Sequence, residues 1–328
     1  MTTRRIWGSL LLAAGLLLLG RPASAAIEIK IATVAPEGSA WMRIFAKMKV
    51  AIEQKTGGEV KLRFFPGQVA GDERDVVRKI NTGQLQGGSF TSVGLALVNP
   101  KVMVLQMPLL FSNYAQLDKV RAALKAEFEE SFREKGFELL GWGDVGWVYL
   151  MTKEPVASKA DLKKQKVWVW SDDPISKTLM KESGVSPLPL GLPQVYPALN
   201  TGMVNAVYNA PLAALTLQWN TKVKYYSDFP LAIAIGATVV SKKVWDSLKP
   251  EHQKLVKEIS EKHHKALNAR VRSDNDKALA SLKGGGLQPV AVSPAAKKEF
   301  VDVATRVAHQ FAPRYYPKAL LDKVMKLR

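Results

Sequence analysis

The chain has 328 residues, 47 Lys plus Arg against 29 Asp plus Glu, no Cys, and a 47% hydrophobic share. That length suggests about two domains, and the apolar share beside 23% charged residues excludes a disordered chain. Without Cys there is no disulfide framework, thiolate metal site, iron–sulfur cluster or Cys nucleophile, which leaves a formal charge of +18 to be explained.

Residues 1–25 read as a secretory signal: Arg4 and Arg5, an apolar run from Leu10 to Leu19, and the small-residue close Ala23-Ser24-Ala25, with cleavage after Ala25. The run is about half the length of a bilayer span, and no Cys follows it to take a lipid anchor. The residues around Arg4-Arg5 match a twin-arginine signal poorly, so the ordinary secretory route is expected. Removing the segment leaves 44 basic against 29 acidic residues and a charge of +15. No later stretch offers an unbroken spanning run, so the expected location is the periplasm.

The mature chain opens on the alternating strand Ile27 to Ile31. Ala35-Pro36-Glu37-Gly38-Ser39 breaks it and starts a helix with Trp41, Ile44, Phe45, Met48 and Ile52 on one face, stopped at Gly57-Gly58. Val60 to Phe64 alternates again, Pro66-Gly67 turns, and residues 72–81 read as a helix with Val76, Val77 and Ile80 inward. A long helix is expected from Tyr114 to Lys135, then a buried strand from Phe137 to Trp142. Lys166 to Trp170 is a strand whose period of two puts Trp168 and Trp170 on one face and Val167 and Val169 on the other. Ala232 to Val240 is another apolar run. From Pro250 to Leu282 the pattern is helical, with Leu255, Ile259, Leu267 and Val271 near one face and Gly284-Gly285-Gly286 ending it. Strands alternating with helices give an α/β fold.

Catalytic signals are mostly absent. The only histidines are His252, His263, His264 and His309, read as solvated positions on charged helices, and no HExxH, GxSxG or P-loop pattern occurs. No catalytic residue, metal site or cofactor is expected. Asp172-Asp173 before Pro174 reads as a helix cap. Lys and Arg are dispersed without a nucleic-acid motif, so no nucleic-acid partner is expected, whereas contact with an anionic membrane surface suits the charge. Seven Trp follow the signal, and Trp142, Trp147, Trp168 and Trp170 fall where strands are expected to meet loops, the usual ligand position in α/β sheets.

Over essentially the whole mature chain the sequence resembles the solute-binding proteins of TRAP transporters, the DctP-type family. The resemblance is carried, in order, by Ile31 to Ser39, Met107-Pro108-Leu109-Leu110-Phe111, Gly141-Trp142-Gly143-Asp144-Val145-Gly146, Asp161-Leu162-Lys163 with Lys166-Val167, Val195 to Ala206, and Val244-Trp245-Asp246-Ser247-Leu248. It implies a two-lobe periplasmic-binding-protein fold with a hinge and an interlobe ligand cleft, handing a small molecule to TRAP-type permease subunits. By similarity, lobe I spans 26–149 plus 238–277 and lobe II spans 150–237 plus 278–328.

The departures from the family pattern bear on the ligand. Relatives usually carry an Arg in the strand after Asp-Leu-Lys-Gly, where it meets a ligand carboxylate; here that position is Trp168. A second basic position is Val148, the Glu before Val-Tyr is Gln194, and Asp-Gly-Gln-Glu-Asn has become Asn205-Ala206-Val207-Tyr208-Asn209. An indole N–H cannot neutralise an anion as a guanidinium fork does, and burying an unpaired carboxylate costs several kcal/mol. The expected ligand is therefore neutral or largely apolar, lipid-like or aromatic, held by Trp168, Trp147, Tyr208 and Trp170, with Asn209, Gln194 and Glu37 as polar contacts. The alternatives are an organic acid met by another cation such as Arg74 or Lys153, a cleft filled by Trp168 with transport lost, and a secreted non-transport protein or enzyme on the same fold.

Overall fold

A computed structural model describes residues 26–328; the signal segment and its cleavage after Ala25 lie outside the described residues. In chain order the elements are β1 (Ile27–Thr33), α1 (Ala40–Lys55), β2 (Val60–Phe65), α2 (Glu73–Asn81), β3 (Gly87–Thr91), α3 (Ser92–Val98), α4 (Tyr114–Ala123), α5 (Lys125–Glu134) and β4 (Phe137–Thr152). There follow α6 (Lys159–Lys163), β5 (Trp168–Trp170), α7 (Pro174–Glu182), β6 (Leu188–Leu190), α8 (Val195–Thr201), β7 (Ala206–Asn209), α9 (Pro211–Thr216) and β8 (Tyr225–Ser227). The chain closes with β9 (Ala232–Ser241), α10 (Lys242–Asp246), α11 (Pro250–Gly284), β10 (Gln288–Val290), α12 (Pro294–Tyr315) and α13 (Lys318–Leu327).

A mixed sheet runs in the order β10-β8-β4-β9-β3-β1-β2, with β7 also on β4. β4 joins its halves: residues Phe137 to Val148 pair antiparallel with β9, and Tyr149 to Thr152 pair antiparallel with β7. The half with β1, β2, β3 and β9 is the first lobe. The half with β7, β8 and β10, flanked by the small parallel ladder of β5 and β6, is the second. The strand signal in the sequence reaches only Trp142, because the register shifts between Leu139 and Gly141 and again, beyond Trp142, between Asp144 and Gly146. Those bulges break the period of two on which the reading depends.

Helix α11 lies across β4, and two glycines make room for it. A Cβ at Gly141 would stand 2.6 Å from the His264 ring, and one at Gly146, whose φ is +132°, would stand 2.5 Å from the Asn275 side chain. On α11 the buried stripe is His252, Val256, Ser260, His264, Leu267, Val271, Asn275, Ala278 and Leu282. This corrects the expected face: Leu255 and Ile259 are only half-buried, and His252 and His264 are buried rather than solvated. His264 and Asn275 are tolerated there because they find partners, whereas among the described residues the Ser260 hydroxyl is buried without one. Nδ1 of His264 lies 2.7 Å from the Ser260 carbonyl, which can only accept, and Nε2 lies 2.8 Å from Thr238 Oγ1.

The expected helix from Tyr114 to Lys135 is two helices, α4 and α5, broken at Leu124, whose φ of −107° leaves the helical region while its side chain stays buried. In β5 the alternation holds, with both faces buried. Trp168 and Trp170 enter one core with Trp219 and Val207, while Val167 and Val169 enter another with Leu162 and Met180. The tail spans both lobes. Helix α13 packs on α4 and α12 touches α7, and Val307, Phe311 and Leu320 share a core with Leu117 and Phe128. Among the described residues no helix is long and apolar enough to cross a membrane.

Candidate functional site

Two cavities lie between the lobes. The larger, about 380 Å³, is lined from the first lobe by the turn after β1, the start of α1 and the end of β3, and from the second by Trp170, Leu192, Asn209 and α9. The smaller, about 120 Å³, is lined by Thr91, Ser92, Val148, Leu150, Trp168, Trp170, Ile175, Tyr208, Asn209 and the start of β9, among others. Thr91, Val145, Trp170 and Asn209 line both and form the boundary between them.

The sequence-derived site residues divide accordingly. Trp170 and Asn209 border both chambers, Trp168 and Tyr208 border the smaller, and Glu37 borders the larger. Trp147 borders neither: its ring is half-buried 5.5 Å from Tyr114. The bulge after Asp144 shifts the register of β4 ahead of it. Gln194 borders neither as well. It is exposed, and its Oε1 accepts from the Gly191 N–H at 3.0 Å, closing a turn. Asp173 caps α7 as expected, accepting from the N–H groups of Ile175 and Ser176 at 3.0 and 3.1 Å.

Trp168 is 1% exposed. Its ring stacks on Tyr208 at 5.0 Å, meets Trp219 edge-on at 5.2 Å, and donates from Nε1 to the Leu190 carbonyl at 3.1 Å. It is therefore chiefly a packing residue with one edge on the smaller chamber. Tyr208 donates from its hydroxyl to Asp173 Oδ2 at 3.1 Å, and burial pushes its phenol pKa well above the usual value. Behind Thr91, the carboxylate of Glu73 accepts from Thr91 N–H and Oγ1 at 2.6 and 2.8 Å and from Gly94 N–H at 2.6 Å. Burial nevertheless raises its pKa to about 7, against the pull of those donors.

Neither alternative cation reaches a chamber. Arg74 donates from Nε to Asp172 Oδ1 at 2.7 Å across the lobes, and Lys153 donates to the Leu199 carbonyl at 2.7 Å. Among the described residues that line the two chambers, Arg43 is the sole cation; its guanidinium donates to the Gly38 carbonyl. The sequence reading missed it, although the helix start after Pro36-Glu37-Gly38-Ser39 places it one turn into α1. The larger chamber also holds Asp274, which accepts from Arg270 Nε at 2.7 Å. No cluster of three or more His, Asp or Glu suited to a metal occurs among the described residues.

Comparison with known proteins gives one consistent picture. The profile described as bacterial extracellular solute-binding protein, family 7 (DctP) matches residues 31–314. The C4-dicarboxylate-binding periplasmic protein DctP of Rhodobacter capsulatus is 26% identical over 87% of this chain and 87% of the relative. The 2,3-diketo-L-gulonate-binding periplasmic protein YiaO of Escherichia coli is 24% identical over 74% of this chain and 75% of its own length. Among solved structures, a TRAP periplasmic solute-binding protein from Pseudomonas putida with bound D-glucuronate is similar at a TM-score of 0.83 and 26% identity, covering 91% of this chain and 96% of that one. Another from Xanthobacter autotrophicus, with bound β-D-galacturonate, reaches 0.85 at 21% identity, covering 92% and 100%.

Proposed function

The chain belongs to bacterial extracellular solute-binding protein family 7, and from that premise we propose that it is a non-enzymatic periplasmic receptor of a TRAP-type transport system whose ligand is neutral or largely apolar. The ligand sits between the lobes, in contact with Trp170 and Asn209, and is handed to membrane permease subunits. One observation carries this reading. The two positions at which relatives are expected to hold a cation are Trp168 and Val148, both buried in the wall of the smaller chamber. A carboxylate placed there would meet stacked rings and a methyl-bearing strand, and would lose hydration without gaining a partner. The largely apolar lining of the chambers, the smaller above all, suits a hydrocarbon or aromatic body.

A second reading has its own observation. Relatives are named for, or hold, acidic ligands, and Arg43 offers this chain one cation at the larger chamber, away from the family's position. Native mass spectrometry of the purified protein, followed by thermal-shift assays, separates the two. A ligand at 100 times its Kd stabilises by about 2.7 kcal/mol. Stabilisation by aromatic or acyl compounds, with none by dicarboxylates or sugar acids, is expected. The reverse pattern would remove the apolar reading.

A further inference from the structure

The two chambers differ in what they ask of a ligand. In the smaller one several polar groups are already engaged: Tyr208 with Asp173, Asp173 with the first turn of α7, and Gln106 Nε2 with the Ser92 carbonyl at 3.3 Å. What faces the space is mostly Val148, Leu150, Trp168, Ile175, Leu231 and Ile233. An apolar ligand group there gains by leaving water, and the lining offers no cation to an anionic one. The larger chamber is unlike it. The Arg43 guanidinium has five N–H donors, and among the described residues its acceptor is the Gly38 carbonyl. Two carboxylates, Glu37 and Asp274, line the same chamber. One anionic group can pair with Arg43, whereas a second would face those acids. Trp170 lines both chambers, and its indole Nε1 donates to Asp72 Oδ2 at 3.0 Å, which fixes the orientation of its ring at their boundary.

We propose that the two chambers form one bipartite site for an amphipathic monocarboxylate, its head against Arg43 in the larger chamber and its apolar tail passing Trp170 into the smaller. This deepens the function proposed above and rests on it: the largely apolar ligand gains a single charged end and a fixed orientation. It also accounts for the loss of cations at Trp168 and Val148, which border the tail chamber. A tail there needs hydrocarbon surroundings, while the charge is met elsewhere.

Isothermal titration with straight-chain monocarboxylates from butyrate to decanoate, octan-1-ol and octanedioate tests this on the full mature protein. Affinity for the monoacids is expected to rise about fourfold per methylene until the tail chamber is full. Octan-1-ol and octanedioate should bind at least tenfold more weakly than octanoate. Arg43→Gln, an exposed substitution, should weaken octanoate at least tenfold and leave octan-1-ol unchanged. Ala234→Leu, filling the smaller chamber, should weaken octanoate and spare butyrate; if that variant does not fold, Leu231→Phe serves the same purpose. Octanoate binding unchanged in Arg43→Gln, or octanedioate matching octanoate, overturns the bipartite site. Octan-1-ol or neutral aromatic compounds binding wild type at least as tightly as octanoate would overturn it while leaving the apolar receptor standing. Binding confined to sugar acids or short dicarboxylates would overturn both.

Discussion

Trp170 and Asp72 sit on opposite lobes, and the indole Nε1 of Trp170 donates to Asp72 Oδ2 at 3.0 Å. The same oxygen accepts the Leu192 N–H at 3.2 Å, while Oδ1 accepts the Glu73 N–H at 2.8 Å as the cap of α2. Two residues along, Arg74 reaches Asp172. The start of α2 is thus fastened to the second lobe by one cap residue and one ion pair. Closure of a two-lobe receptor is an equilibrium that any such contact biases.

Asp72→Asn keeps the helix cap but weakens an acceptor whose hydrogen bonds, being made to a charged group, are worth about 1.5–3 kcal/mol. Arg74→Ala removes a largely exposed pair worth about 0–1 kcal/mol. The ligand-free double variant is expected to show a larger radius of gyration by small-angle X-ray scattering, and ligand affinity should fall about tenfold. Scattering curves that superimpose on wild type would show that this joint does not set the closed state.

At Trp168 the expected effect is on stability. Trp168→Ala should cost about 3–5 kcal/mol in urea unfolding, because the ring is sandwiched between Tyr208 and Trp219. Trp168→Arg, which restores the family's residue type, should cost at least as much, since it places a cation in a buried aromatic layer with no carboxylate among those ring contacts. A Trp168→Arg protein of native stability that binds small dicarboxylates would refute the packing role.

Two buried groups give opposing pH dependences. The folded pKa of Glu73 is raised to about 7 from a usual 4.5, so between those values the folded state holds a proton the unfolded state has lost, and stability falls as pH rises. The folded pKa of His264 is depressed to about 4 from 6.5, chiefly by burial, so between those values the unfolded state holds the extra proton and stability rises with pH. The windows overlap between pH 4.5 and 6.5, where the two slopes cancel. Glu73→Gln should expose the His264 slope, a gain of about 3 kcal/mol from pH 4.5 to 6.5 at one proton's worth per unit. His264→Asn should expose the opposite slope over the same range. Equal urea midpoints for Glu73→Gln across the window would show that His264 is not held neutral.

The sequence is most legible where periodicity is clean. In α1, Phe45, Met48 and Ile52 are buried as their spacing predicts, and from Val167 through β5 the alternation sorts two Trp from two Val. It is least legible where polar side chains are buried against a partner distant in the chain. Nothing near His264 announces Thr238, and nothing near Gly146 announces Asn275, so α11 reads as if its face lay elsewhere. The site follows the same division. Trp170, Tyr208 and Asn209 come from strands whose ends point into the cleft. Trp147 lines neither chamber, with a bulge preceding it in β4, and Arg43 lines the larger although an exposed helical Arg carries no local mark.

Gly146 and Asn275 offer the most direct test of how α11 is fixed to the sheet beside the cleft. Asn275 donates from Nδ2 to the Val145 and Val271 carbonyls at 2.9 and 3.0 Å and accepts the Leu212 N–H at 3.0 Å, tying β4, α11 and α9 together. All three of those partners line the larger chamber. Gly146→Ala forces a side chain onto a φ of +132° and onto Asn275, and should cost about 2 kcal/mol or more. Asn275→Ala leaves the Leu212 N–H and Val145 carbonyl unpaired, at about 1–3 kcal/mol. The double variant removes the clash that makes the first costly, so its destabilisation should fall short of the sum by about 1 kcal/mol, within the range seen for residues in contact. Strict additivity in urea unfolding would place the cost of Gly146→Ala in the backbone strain alone and deny that Asn275 is what holds the strand in that conformation.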